Sequence, residues 1–189
     1  MTWTSKHDES FFCVEIHEIW AEDPALVQGF RGEVLDISPR DLSEGVIGSL
    51  AGYIARGPWR DLLALQEGLP YSDLRVAPAI ADKRESDARD NSVSVVVLVK
   101  WLVLSEPYRR RGLSLTILLK ALEELGVEPS GALVLIRPEP LSADGTGGLP
   151  DGSESDQALV RVHSAIRDAG FEPWEDGPIW SLAINGDCT

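Results

Sequence analysis

Residues 93–104, Val-Ser-Val-Val-Val-Leu-Val-Lys-Trp-Leu-Val-Leu, constrain this chain more than any other stretch. The valines are stiff at χ1 and suit a pleated surface better than a helix. The run does not alternate between apolar and polar residues, so the strand it predicts is covered on both faces and central in its sheet. Pro107 ends it. It is too short to span a bilayer and contains Lys100. A strand covered twice needs a further layer of structure over each face. Residues 113–125 supply one: Leu115, Leu118, Leu119, Leu122 and Leu125 recur at helical spacing, Thr116, Lys120, Glu123 and Glu124 fall opposite, and Gly126 is a natural stop.

The rest of the chain fills in the order. Residues 11–20 have a period near two, with Glu22-Asp23-Pro24 as the break, and predict a first strand. Residues 30–37 and 46–55 predict two more. Residues 62–69 predict a short helix ended by Gly68 and Pro70. The charged residues 82–91 read as a solvated loop or a helix surface. Residues 132–136 predict a buried strand and 158–169 a helix closed by Gly170-Phe171. Residues 174–177 read as a turn and 179–184 as a last strand. Ser, Gly and Asp dominate a segment at about 142–157, which reads as a mobile loop and not a boundary, because too little chain follows for a second core. The expectation is one domain over residues 1–189, of α/β (α+β) class.

Between the central strand and the helix lies Ser105-Glu106-Pro107-Tyr108-Arg109-Arg110-Arg111-Gly112-Leu113-Ser114. The first N–H groups of a helix have no partner inside it, and the helix dipole adds positive potential there. A glycine lets backbone approach a ligand closely, and arginines offer planar donors to phosphate oxygens. The plainer alternative is an exposed, solubilising Arg-rich turn. The segment Arg109 to Ser114 resembles the acetyl-CoA motif of the GCN5-related N-acetyltransferase (GNAT) family, Gln/Arg-x-x-Gly-x-Gly/Ala at a strand-to-helix junction. Ser114 stands where Gly or Ala is usual. Gly170-Phe171 and Arg137-Pro138-Glu139-Pro140-Leu141 are similar to further family segments, and the resemblance is best over residues 93–184.

The resemblance implies a GNAT-like mixed central sheet, with the fourth and fifth strands splayed and flanked by helices. It implies acetyl-CoA or another acyl-CoA as co-substrate, held by Arg109, Arg110, Arg111, Gly112, Leu113, Ser114 and Leu115 at the diphosphate and by the backbone of Leu102, Val103 and Leu104 along the pantetheine arm. That arm needs a strand edge freed from its neighbour, often through a β-bulge. The implied reaction is direct acyl transfer to an amine. Where many relatives carry a carboxylate in this strand, the chain has Lys100 and Val103; where many carry a tyrosine near the end of the second helix, it has Ile166. Glu106, Tyr108 and His163 are the substitutes available as acid or base, each with an ordinary loop, packing or surface role as the alternative. Lys100 is a further ionisable group in the strand. Trp59, Tyr71, Trp174 and Trp180 are candidates for an acceptor pocket, with Glu175 and Asp176 to attract a cation. A CoA-binding module without catalysis is the second reading, and an interaction domain without CoA the third.

The formal net charge of -14 argues against nucleic acid as a partner and favours a cationic acceptor. Glu15, His17 and Glu18 make no metal-ligand pattern, and the expectation is no metal. The chain has no signal-peptide pattern and no apolar stretch long enough for a membrane, which predicts a cytoplasmic protein with no membrane partner. Cys13 and Cys188 then default to free thiols, with a bond between them open. Dimers are frequent in the family, so a homodimer is among the expectations the resemblance brings.

Overall fold

The computed structural model describes residues 12–23, 27–37, 45–56, 76–87, 93–109, 111–128, 131–138, 153–175 and 177–184. The strands are β1 (Phe12–Asp23), β2 (Val27–Asp36), β3 (Gly45–Arg56), β4 (Val95–Leu104), β5 (Ala132–Ile136), β6 (Glu172–Pro173) and β7 (Trp180–Ile184). The helices are α1 (Ala77–Asp87), α2 (Ser114–Glu124) and α3 (Ser153–Asp168), with a 3-10 turn at Glu106–Tyr108. The strands form one mixed sheet in the order β1-β2-β3-β4-β5-β7-β6. Among the described strands only β4 and β5 pair in parallel. Parallel neighbours need a crossover, and α2 is that crossover.

The valine run behaves as its composition demands. Val95, Val97 and Val99 join the core on one face of the sheet, where α2 inserts Ile117, Leu118 and Leu122 and α3 leans Ile166. Val96 and Leu98 join the core on the other, beneath Ile80 and Ala81 of α1. Each buried aliphatic side chain contributes about 1.5–3 kcal/mol, so both faces of β4 are strongly specified.

Several elements differ from the sequence expectation. β1 runs on through Glu22 and Asp23, because pairing with β2 outweighs their weak strand preference. As far as Asp87, by contrast, the charged segment at 82–91 follows the helix-surface reading, as the end of α1, which is held through Ile80 and Ala81. In α2 the buried residues are Ile117, Leu118, Ala121 and Leu122, while Leu115 and Leu119 are only half-buried. α3 starts at Ser153, inside the segment read as a loop. The helix expected at 62–69 and residues 142–152 of the expected loop lie outside the described residues.

Helices α2 and α3 end in the same way. Val127 N–H donates to the Leu122 carbonyl (2.8 Å) and Gly126 N–H to Glu123 (2.9 Å), with Gly126 at φ 63°. Phe171 donates to Ile166 (3.1 Å) and Gly170 to Arg167 (2.9 Å), with Gly170 at φ 89°. These are Schellman closures, in which a left-handed residue lets the next N–H reach back into the helix. The Gly170-Phe171 pair therefore has a local explanation: it stops α3 and buries Phe171.

Candidate functional site

The sheet opens along β4. Val95 to Val99 pair with β5, residue for residue, from Ala132 to Ile136. Beyond that β5 ends, and Pro138 has no N–H with which to extend a ladder. β4 continues to Leu104, paired with β3 alone among the described residues. The β3 register jumps at the same level: Gly52 faces Val99 and Ala51 faces Trp101, so Lys100 is the extra residue of a β-bulge. The bulge resets the alternation of faces. Val97 and Val99 lie on the α2 face before it, and Leu102 and Leu104 after it.

The backbone of this second half of β4 has a definite direction. Ser105 N–H donates to the Ile47 carbonyl of β3 at 2.7 Å. In an antiparallel ladder alternate residues turn their N–H and C=O to the same neighbour. Val103 thus faces β3, and Leu102 and Leu104 present their backbone groups to the side that β5 has left.

The chain then turns through Glu106–Tyr108 and enters α2. Gly112 has φ 71°, a left-handed conformation that L side chains rarely adopt, and a Cβ built there meets nothing within 4 Å. Leu113 is the N-cap and makes no side-chain capping bond, and the first turn holds no acidic residue. Ile117 N–H donates to the Leu113 carbonyl at 2.9 Å. By helix geometry, the N–H groups from Leu113 to Thr116 have no acceptor within α2. Those of Leu113, Ser114 and Leu115 are the amides expected to hold an anion. A helix start without a side-chain cap and an open strand edge thus lie at the two ends of one turn.

The arginines divide in a way the sequence does not show. Arg109 is half-buried, and its Nε donates to the Leu104 carbonyl at 2.6 Å. Arg111 is exposed, with its guanidinium carbon 5.5 Å from the centre of the Tyr108 ring. Arg110 lies outside the described residues. Reading all three as equivalent phosphate donors misses that Arg109 Nε bonds protein backbone.

The acid–base candidates do not converge. The Tyr108 hydroxyl donates to Asp36 Oδ2 at 2.7 Å, and its ring meets Phe12 edge-on at 6.4 Å. His163 lies on the Trp180 ring, 5.0 Å between centres, with Arg167 5.5 Å from the same ring. Glu106 is exposed at the start of the 3-10 turn, and Lys100 is exposed at the bulge. Trp174 and Trp180 belong to the cores on opposite faces of the sheet, so they do not line one pocket together. Glu175 is exposed, while Trp59, Tyr71, Asp176 and Cys188 lie outside the described residues. His17 pairs instead with Glu33 at 3.3 Å, and Glu18 with Arg31 at 3.7 Å.

Two participants were invisible in the sequence. Asp36 lies 72 positions from Tyr108, too far for any local pattern to link them. Lys100 marks the bulge only as a lone charge in an apolar run. Among the described residues no group of three or more His, Cys, Asp or Glu could hold a metal ion, and no helix is long and apolar enough to cross a membrane. The chain matches no protein-family model, no curated protein and no solved structure.

Proposed function

We propose that this chain is a GNAT-like acyltransferase, with a splayed β4/β5 pair, that moves an acetyl or other acyl group from acyl-CoA to an amine. One observation carries the reading: β4 has no β5 partner after Val99 among the described residues, runs on to Leu104 with the backbone groups of Leu102 and Leu104 turned outward, and leads through the Glu106–Tyr108 turn to the uncapped start of α2. The first feature suits the amides of a pantetheine arm, the second a diphosphate. The Arg109-to-Ser114 motif lies at that junction, and the bulge at Lys100 is a device that such a splay often uses. In the reaction the amine nitrogen, having lost a proton to a base, attacks the thioester carbonyl carbon. The C–N bond forms, the C–S bond breaks, and the thiol of CoA departs.

The placement of the candidate catalysts favours the second reading, a CoA-binding module that performs no transfer. The Tyr108 hydroxyl donates its hydrogen bond to Asp36, and His163 lies against Trp180. Two measurements separate the readings. Calorimetry with CoA gives a saturable heat under both, and an absence of heat removes both. Thiol release from acetyl-CoA in the presence of polyamines, amino sugars and lysine peptides is expected for the enzyme alone.

A further inference from the structure

We propose that Arg109 and Tyr108 are positioning residues, which fix the distance between the open edge of β4 and the start of α2, and that Arg109 is not a phosphate ligand. The inference rests on the acyl-CoA reading above and assigns these two side chains roles that the motif alone does not give them.

The turn between β4 and α2 is tied on three sides. Ser105 N–H holds it to Ile47 of β3 at 2.7 Å. Tyr108 Oη holds it to Asp36 of β2 at 2.7 Å. Arg109 Nε holds it to the last carbonyl of β4, Leu104, at 2.6 Å. Within the turn, Tyr108 N–H donates to Ser105 (2.9 Å) and Arg109 N–H to Glu106 (3.2 Å). The guanidinium bond is charge-assisted and directional, and it meets a carbonyl that faces the gap left by β5. Leu104 also belongs to the edge that would receive an extended ligand. Arg109 therefore links the two halves of the candidate site through protein atoms. A ligand that spans both halves gains from a preset spacing, whereas a ligand that touches only one does not. Lysine keeps the charge but has no Nε fork, so it cannot reproduce the tie.

The test compares CoA with 3′-phospho-ADP, which has the diphosphate but no pantetheine arm, by calorimetry on the full chain. For Arg109→Lys and Arg109→Gln alike, the expected result is CoA affinity about tenfold weaker, the size of one lost charge-assisted bond. Affinity for 3′-phospho-ADP should stay within about twofold of wild type. Tyr108→Phe, which leaves every arginine in place, should weaken CoA alone, by about threefold. It also keeps the test open if position 109 does not tolerate change. Equal losses for both ligands, or full retention of both in Arg109→Lys with loss of both in Arg109→Gln, would make Arg109 a direct phosphate donor and overturn the proposal. Wild-type protein that binds neither ligand overturns the acyl-CoA reading, and this one with it.

Discussion

The two ends of the β4–α2 unit are built in opposite ways. At the closed end, Ser94 and Val95 donate to the Gly131 carbonyl at 2.9 and 3.3 Å. β5 pairs with every residue from Val95 to Val99. α2 stops in a Schellman closure at Gly126, and Arg56 donates to the Leu125 carbonyl at 2.8 Å. At the open end, β4 has one strand neighbour among the described residues, α2 starts without a side-chain cap, and the space around Gly112 is clear. Chain economy does not explain the contrast, because one cap residue at position 113 would finish the helix for about 1 kcal/mol. The difference teaches that, among the described residues, one end of the unit closes its backbone with strand pairing and a helix stop. The other end lacks the second strand and the helix cap, and there Arg109 Nε is what meets the Leu104 carbonyl.

If that contrast is right, substitutions at the two ends should fail in different assays. Ile117→Ala removes a fully buried side chain from the α2 face and should cost about 3 kcal/mol in urea unfolding. The folded fraction should still gain stability from CoA. Gly112→Asp reverses the pattern. Aspartate tolerates a left-handed backbone better than most residues and meets no neighbour there. Unfolding should shift by about 1 kcal/mol, the left-handed strain alone. The thermal gain from CoA, about 2.7 kcal/mol at a hundred times Kd, should vanish. A retained gain breaks the comparison at the open end. Gly126→Val, at φ 63°, forces a β-branched residue into the left-handed region and should cost about 1–2 kcal/mol while leaving the CoA response intact. Loss of that response in Gly126→Val would mean that the two ends are coupled.

The strongly apolar parts of the fold were legible. β5 occupies residues 132–136 as expected, and β4 and α2 lie within two residues of their expected limits. A continuous apolar run in the strands and an apolar stripe in the helix both report burial, and burial dominates these elements. α1 was obscured because Ile80 and Ala81 are outnumbered by charged neighbours. The N-terminal turn of α3 was obscured because Ser and Asp favour loops and helix starts alike. In α2, Ile117 and Ala121 took core positions assigned to Leu115 and Leu119, since a leucine-rich helix leaves the centre of its stripe uncertain by one residue. The candidate site was legible as a motif and not as geometry. Nothing local to Arg109 says that its Nε turns back to Leu104, and nothing near Tyr108 points to Asp36. The first contact is decided by the dihedral angles of the turn between β4 and α2, and the second by where β2 lies in the sheet, and an apolar pattern encodes neither.

The extra residue at Lys100 also decides which loss of length β4 can absorb. Deleting it would remove the bulge and leave Trp101, Leu102, Val103 and Leu104 on their present faces and opposite their present β3 partners. Deleting a second residue would leave no spare position to take up the loss, and Leu102 and Leu104 would emerge on the opposite side. Among descendants of this chain, a single-codon loss at position 100 is therefore the one that would straighten the strand without scrambling the frame in which its remainder is read.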